Sequence, residues 1–292
     1  MGKGERDEIE KMTVKNFILL GSAGYIAPRH MKAIHDVGGN LIAAYDPHDS
    51  VGVLDQYFPD CAFFTEFERL DRYVEKIGTV DYVSIASPNY LHDAHCRWAL
   101  RIGADVICEK PLVINERNLD GISRLENGNH AWTVLQLRLH PKVQMFKEKY
   151  TDTKWHNVKV NYSTPRGKWY KYSWKGDVAK SGGIATNIGI HLFDLMTWFF
   201  GNMKSIETIE NDLDCIVGRL ILDKAEVHYR LSIRQGEQSQ RTFEIDGENI
   251  ELSNHFETLH SEVYKNILAG NGFGLEETRE AIRICGAIRA HK

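Results

Sequence analysis

Apolar residues follow two rhythms along this chain. Up to about residue 125, short and almost wholly apolar runs alternate with longer stretches. The runs are NFILL (16–20), LIAAYD (41–46), CAFF (61–64), YVSIAS (82–87) and DVIC (105–108). Between them, IAPRHMKAIHDV, FERLDRYVEKI and DAHCRWALRIG repeat their apolar positions every three or four residues. The runs predict strands and the stretches predict helices. Strands that are apolar on both faces, each followed by a helix, imply a parallel sheet covered on both sides.

After about residue 128 the rhythm changes. TVLQLRL (133–139), NVKVNYST (157–164), KSIETIE (204–210), CIVGRLIL (215–222), AEVHYRLSI (225–233), RTFEID (241–246) and NIELS (249–253) read as strands, several alternating apolar with polar. That alternation indicates an open, mainly antiparallel sheet with one wet face. A helix over 184–200 interrupts the strands, and two more, about 257–269 and 276–290, follow them. No internal repeat or low-complexity linker occurs. The expected fold is α/β, a doubly wound Rossmann domain (1–128) followed by an α+β domain with a large open sheet (129–292).

Hydrophobic residues are 42% of the 292 and charged residues 26%, enough for a sizeable core. The net charge of −4 argues against a nucleic-acid-binding surface, which needs a basic domain. No apolar run reaches the ~18 residues of a membrane span. The charged opening MGKGERDEIEKMTVK, read as a frayed start or short helix, lacks the apolar stretch of a signal peptide. Cysteines at 61, 96, 108, 215 and 285 form no CxxC, and HExxH is absent. No metal site is expected, and the thiols suit a reducing cytoplasm.

The first strand runs into GSAGYIAPRHMKAI. A glycine-rich turn there lets backbone amides approach a pyrophosphate at the following helix N-terminus. Gly21, Gly24 and Ala27 are the small residues, and Ala23, Tyr25 and Ile26 complete the expected cofactor loop. One residue more than in G-x-G-x-x-G/A separates the first two glycines. A tight strand–helix turn would use the same glycines. The second strand supplies separate support. It ends in Asp46, where an acidic side chain would hold ribose hydroxyls and repel a 2′-phosphate, so NAD is expected over NADP. Asp-Pro also suits a turn start. The fourth strand ends in Ser87-Pro88 at the carboxyl edge, where ligands bind in open α/β sheets. Asn89 suits the cofactor or a helix N-cap. His92, one turn on, faces either solvent or cofactor.

The fifth strand ends in Glu109-Lys110-Pro111, two charges and a proline where a core-filling strand would end in glycine, asparagine or serine. Both charged residues are placed beside the cofactor. At the carboxyl edge Lys110 would enter the crevice next to the nicotinamide. A cation there hydrogen-bonds a substrate hydroxyl and stabilises developing oxyanion character during hydride transfer. Pro111 can hold a turn, with a cis bond as one option, that aims the lysine. The alternative is a surface lysine paired with Glu109.

GSAGYIAPRH, SPNYLH, EKP and GGIATNIGIHLFD together resemble the glucose–fructose oxidoreductase/inositol dehydrogenase (Gfo/Idh/MocA) family over nearly the whole chain. The resemblance implies a Rossmann domain, an open-sheet α/β domain and hydride chemistry on sugars and polyols. GYIAPRHMKAI, VLQLRLHP, RGKWY…SWKGD and SGGIATNIGIHLFDLMTWFFG narrow it to a likeness with UDP-N-acetylglucosaminuronate 3-dehydrogenases. Those enzymes oxidise the sugar C3 hydroxyl with NAD, giving a 3-keto sugar nucleotide for surface polysaccharide (lipopolysaccharide O-antigen) synthesis. The likeness implies Lys110 and His191 as the catalytic pair and a homotetramer. The broader family often has Asp-x-x-x-His where this chain has Asn187 and His191. Residues four apart share a helix face, so both can reach one substrate. An amide is no base, which leaves His191, titrating near neutrality, as the proton acceptor. Asp194, one turn on, would orient it.

A UDP-sugar acid carries a pyrophosphate and a carboxylate, so the second domain should offer cations and aromatics. LQLRLHP supplies Gln136, Arg138 and His140. YSTPRGKWYKYSWKGD supplies Tyr162, Arg166, Lys168, Trp169, Tyr170 and Lys175. Such a cluster can clamp an anion and stack a uracil; equally it can guard an edge strand or make an oligomer contact. Two other functions compete. One is an NAD-dependent dehydrogenase of a free sugar or polyol, against which the basic aromatic segment speaks. The other is a non-catalytic NAD-binding regulator, which would need neither Lys110 nor His191.

Overall fold

The computed structural model describes residues 14–150, 152–250 and 258–290. In chain order the first part contains β1 Asn16–Leu20, α1 Ala27–Asp36, β2 Asn40–Tyr45, α2 Val53–Tyr57, β3 Ala62–Phe64 and α3 Phe67–Ile77. It continues with β4 Tyr82–Ile85, α4 His92–Arg101, β5 Asp105–Cys108, α5 Arg117–Ser123 and β6 Ala131–Thr133. The six strands form one sheet in the order β3-β2-β1-β4-β5-β6, and every neighbouring pair is parallel. This is the doubly wound Rossmann arrangement. The period of two along a strand divides β1 between the two covers. Phe17 and Leu19 pack with Met31 and Ile34 of α1. Ile18 and Leu20 pack with Leu70 of α3 and Cys96 of α4.

The second part contains α6 Pro141–Lys149, β7 His156–Ser163, α7 Trp169–Tyr172, α8 Val178–Ser181, a π-helical turn Ala185–Gly189 and α9 Ile190–Phe200. Then come β8 Met203–Asn211, β9 Cys215–Leu222, β10 Ala225–Ser232, β11 Gln240–Ile245, β12 Glu248–Asn249, α10 Leu259–Leu268 and α11 Leu275–Ala290. The second sheet has the order β12-β11-β7-β10-β9-β8. All its pairs are antiparallel except β7 with β10. One face lies under α9, where Phe193 meets Tyr229 edge-on at 5.5 Å and Phe199 meets Phe243 at 6.5 Å. The other face carries Lys159, Arg219, Glu226, His228 and Glu244, cross-linked by pairs such as Arg219–Glu226 (2.5 Å) and Lys159–Glu244 (3.7 Å).

Two expectations change. TVLQLRL does not form a strand of the second sheet. Its first residue closes β6, a parallel strand of the first sheet, and Gln136–Leu139 is a 3₁₀ turn. Val134, Leu135 and Leu137 are buried, and an apolar run buried on all sides carries no period that separates strand from turn. A break at 128 therefore falls ahead of the first sheet's last strand. The chain also returns to that sheet at its end. Val263, Tyr264 and Ile267 of α10 share a core with Phe17, Leu19 and Met31. The opening up to residue 13, residues 251–253 of the NIELS run and residue 257 lie outside the described residues.

Gly189 lets the π turn approach the second sheet. A Cβ there would stand 2.5 Å from Leu231 Cδ1 and 2.7 Å from Phe193 Cε2. Gly189→Ala is expected to cost about 1–3 kcal/mol from overpacking. It should also lower turnover, because the same turn carries Asn187 and leads into His191. Thermal melting alongside initial rates checks this; a variant with wild-type stability and rate would show the contact is slack.

Candidate active site

The glycine loop is built by backbone contacts. Gly21 sits at φ +88°, and a Cβ on it would lie 2.5 Å from Ser87 N and 2.6 Å from Ala86 C, so only glycine fits between β1 and the end of β4. The amides of Gly21 and Ser22 both donate to Tyr45 O, at 2.8 and 3.2 Å, and Gly24 N–H closes back on Gly21 O at 3.2 Å. The extra residue is thus absorbed in a turn. Ala23 N–H donates to Asp46 Oδ2 (3.0 Å) and His48 N–H to Oδ1 (2.9 Å). Asp46 therefore does open a turn, and it also ties β2 to the glycine loop. Each oxygen keeps a further lone pair for a ribose hydroxyl. α1 starts at Ala27 with Ile26 before it, no side-chain cap and no acidic residue in its first turn. Ala27 N–H donates to Gly24 O (3.1 Å) and Arg29 N–H to Ile26 O (3.0 Å), and Pro28 has no N–H, so an anion there would be met by the Tyr25 and Ile26 amides that precede the helix. A dinucleotide fits this loop, uncapped helix and buried carboxylate. Tyr25 is 87% exposed at the loop tip.

Several residues beside the loop are occupied structurally. Ser87 Oγ lies 2.9 Å from His95 Nδ1. Asn89 does not cap α4; its amide donates to Ser181 O at 2.9 Å, tying the first domain to α8. His92 does not face solvent. It is 1% exposed, with Nδ1 2.6 Å from Pro111 O and Nε2 2.8 Å from Ser87 O, so it pins the turns that end β4 and β5 together.

Lys110 precedes a cis peptide bond to Pro111. Its Nζ lies 3.5 Å from Asn187 O, in the π turn. It is no surface lysine paired with Glu109, because the Glu109 carboxylate is taken by His260 Nε2 (2.9 Å) and His30 Nε2 (3.2 Å). These three groups lie within 4.8 Å of one another, and hydrogen bonding accounts for their grouping. Burial pulls the Lys110 ammonium below the usual lysine range, and Lys175 adds to this while Glu109 opposes it. His191 is held well below the usual histidine range, by burial first and then by Lys110. It is therefore a neutral imidazole at pH 7. Asn187 Nδ2 donates to the Tyr170 hydroxyl at 2.7 Å. Lys175 sits over the Trp169 and Trp174 rings, each at 5.7 Å, with Arg166 close enough to lower its pKa after burial does so.

A cavity of about 330 Å³ opens beside His191, lined also by Gln136, Tyr162, Ile188, Thr242 and two arginines, Arg29 and Arg241. Arg241 stacks over Tyr162 at 5.5 Å. Among the described residues neither arginine has an ion-pair partner. Gln136 Oε1 is buried there without a hydrogen-bond partner among them.

Arg138 and Asp194 leave the expected site. Arg138 Nε and Nη2 donate to Asp194 Oδ2 and Oδ1 at 3.0 and 2.7 Å, and Nη2 also reaches Glu277 O at 2.8 Å. The guanidinium is sandwiched between Trp198 and Phe273 at 5.3 and 5.2 Å. A buried arginine needs a counter-ion, and Asp194 is spent on it. It cannot orient His191, and Arg138 cannot hold substrate.

The sequence matches two family models, oxidoreductase family, NAD-binding Rossmann fold, over residues 15–134, and oxidoreductase family, C-terminal alpha/beta domain, over residues 155–210. The chain belongs to the Gfo/Idh/MocA oxidoreductase family. A solved relative from Thermus thermophilus, the WlbA (WbpB) dehydrogenase, was crystallised with NAD and α-ketoglutarate. It is 45% identical, with a TM-score of 0.93 and 96% of each chain covered. The same dehydrogenase with NAD and UDP-GlcNAcA superposes with a TM-score of 0.91 over 94% of this chain and 95% of that one, again at 45% identity. Glucose-6-phosphate 3-dehydrogenase of Bacillus subtilis is 25% identical over 238 residues, 75% of this chain and 65% of that protein.

Within this Gfo/Idh/MocA site, the sequence reading missed Arg29 and Arg241 of the cavity, and the histidines that hold Glu109. Arg29 had a signal, a cation after Pro28 in the first turn of a cofactor-binding helix. Arg241 had only its place on an alternating strand. His260 and Tyr264 stand four apart on a helix face, which the pattern alone assigns to core.

Two outcomes are expected. Asp46→Ala should weaken NAD by ~10-fold or more and narrow the gap to NADP; an unchanged ratio would assign the carboxylate to Ala23 and His48 alone. Arg138→Ala leaves Asp194 buried and unpaired, an expected loss of about 3–5 kcal/mol. Denaturant melts should show that loss with little change in KM, and a raised KM at unchanged stability would return Arg138 to the substrate.

Proposed function

We propose that this protein oxidises the C3 hydroxyl of UDP-N-acetylglucosaminuronate to the 3-keto sugar nucleotide, with NAD as hydride acceptor. The observation that carries this is 45% identity across 96% of both chains with the Thermus WlbA dehydrogenase, which has been crystallised with NAD and with UDP-GlcNAcA. The charges at the site support it. Arg29 and Arg241 beside His191, Lys175 beside Lys110, and Arg166 beside Lys175 are cations in want of anions. A UDP-sugar acid supplies a pyrophosphate and a carboxylate, whereas a free polyol supplies neither.

NAD, when bound, takes the hydride from C3 on its nicotinamide ring. The chain's own groups do the rest. The Tyr25 and Ile26 amides at the uncapped start of α1 hold the pyrophosphate, and Asp46 holds the ribose. Lys110 donates to the C3 oxygen, and its charge stabilises the negative character that develops there. His191, neutral at pH 7, accepts the hydroxyl proton. Asn187 is anchored by Tyr170 and fixes the carbonyl that faces Lys110 Nζ.

The Bacillus relative favours a second reading, oxidation at C3 of a hexose phosphate. α-Ketoglutarate, present in one Thermus complex, is a 2-oxo acid able to take the hydride back, and we propose it as the acceptor that completes turnover. We also infer a homotetramer, with the ion-paired outer face of the second sheet as a contact, and a cytoplasmic site. All five cysteines are free thiols, and no helix among the described residues is long and apolar enough to cross a membrane.

Purified protein should convert UDP-N-acetylglucosaminuronate, with NAD and α-ketoglutarate, to a product lacking a pair of hydrogens by mass spectrometry. Equal rates with glucose 6-phosphate or the free sugar acid would sink the sugar-nucleotide assignment. The acid limb of kcat should lie well below the pH ~6–7 expected of an unperturbed histidine, because deprotonated His191 persists to lower pH. His191→Asn should lose that limb, and Lys110→Ala should keep it while turnover falls ~100-fold or more. A limb that survives in His191→Asn and vanishes in Lys110→Met would make the lysine the base.

A further inference from the structure

Glu109 is a charge with no obvious task. It is 6% exposed, and the groups that meet it are as deeply buried: His260 at 2% and His30 at 0%. Oε1 accepts from both histidine Nε2 atoms, and Oε2 from the Lys110 backbone N–H at 3.3 Å. The chain of contacts runs on. His30 Nδ1 lies 2.7 Å from the Tyr264 hydroxyl, which lies 2.7 Å from Ser84 Oγ. These residues come from β4, the end of β5, α1 and α10, so four elements are tied into one network around the carboxylate. A region that needed only filling would be served as well by apolar side chains. The donors that converge on Glu109 hold its carboxyl well below the usual range against the opposing effect of burial, so it is ionised throughout the neutral range.

The carboxylate makes no side-chain bond to Lys110. It acts on the ammonium through space, from the adjacent residue. We propose that Glu109, clamped by His30 and His260, is a fixed counter-charge that keeps Lys110 protonated where the two domains meet. Glu109, His30 and His260 are then positioning residues for the reaction, a role that rests on the assignment of Lys110 as donor given above.

The surroundings show why one carboxylate matters. Toward Lys110 face Lys175, with Arg166 behind it, His191 from α9, His92 from α4 and Cys285 from α11, while His30 and His260 stand behind Glu109. Burial pushes the Cys285 thiol up to about 12, so it is neutral at pH 7. Glu109 is thus the one anion among these groups. It raises the pKa of Lys110, so its removal lets burial and Lys175 act unopposed and the pKa falls. The same loss lowers His191 further, which leaves it neutral.

Competitive acetylation of the purified full-length protein with acetic anhydride across pH, read by peptide mass spectrometry, gives the titration midpoint of Lys110. Glu109→Gln keeps the shape and removes the charge. It should lower that midpoint by about one to three pH units and move the alkaline limb of kcat down with it, while Glu109→Asp restores most of the shift. A folded Glu109→Gln with the wild-type midpoint overturns the proposal. Should that variant not fold, carboxyl ¹³C NMR of the wild type decides: Glu109 ionised throughout the neutral range supports the proposal, and a protonated Glu109 at pH 7 overturns it. A stoichiometric divalent metal in the purified protein also overturns it, since the ion would cancel the carboxylate's charge. Apart from the kcat limb, none of these readouts needs a sugar substrate. A wild type that oxidises no UDP-sugar but shows the lysine shift loses only the function proposed above.

Discussion

An ammonium group drawn partly out of water and left without a carboxylate in contact governs the design of this molecule. Lys110 stands at the carboxyl edge of the first sheet, its Nζ facing a carbonyl of the π turn at 3.5 Å. Burial works against its charge. A direct salt bridge would restore the charge but occupy the atom that must reach substrate. The fold meets both demands by setting the anion one residue away. Glu109 turns back into the first domain, where α10 brings His260 to its carboxylate and Tyr264 to the His30 that shares it.

That requirement gives the chain's return a physical reason. α10 follows the second sheet in sequence, yet its apolar residues belong to the core around α1 and β1. The two domains are joined by specific polar ties as well: Asn89 to Ser181, and Arg289 Nη2 to Ile114 O at 3.1 Å. The gap that holds Lys110 and His191 is therefore framed by groups fixed on both sides. A hydride transfer tolerates little error in the position of its reacting atoms, and rigid framing from two sheets supplies that.

The sheet strands and the longer helices were legible because their periods are clean. FERLDRYVEKI occupies α3 residue for residue, and NFILL is β1. TVLQLRL was not legible as what it is, since its apolar residues are buried in every direction. At the site, Lys110 and His191 were marked by residue type at a strand end and on a glycine-led helix. Asp194 and Arg138 misled for one reason: sequence shows a charge but not its partner, and each proved to be the other's. His30 and His260 left no mark, because a histidine facing a buried carboxylate and one facing solvent look alike in a string of letters. Arg241 was hidden the same way, on a strand whose alternation fits a plain wet face.

Partnering is what separates structural from functional charge here. Arg138 is deeply buried, at 4% exposure, but Asp194 neutralises it and two aromatic rings flank it. Lys110, Lys175, Arg166, Arg29 and Arg241 have no such partner among the described residues, and Glu109 alone stands against them. An excess of positive charge in a half-enclosed gap strengthens the pull on an anion, because the low-dielectric walls weaken screening. Burial depresses both the lysine and the histidine, and the positive charge beside each adds to it. The UDP-sugar acid proposed above, with a carboxylate as well as a doubly charged pyrophosphate, would relieve that excess on entering the gap and close the charge balance that the protein leaves open.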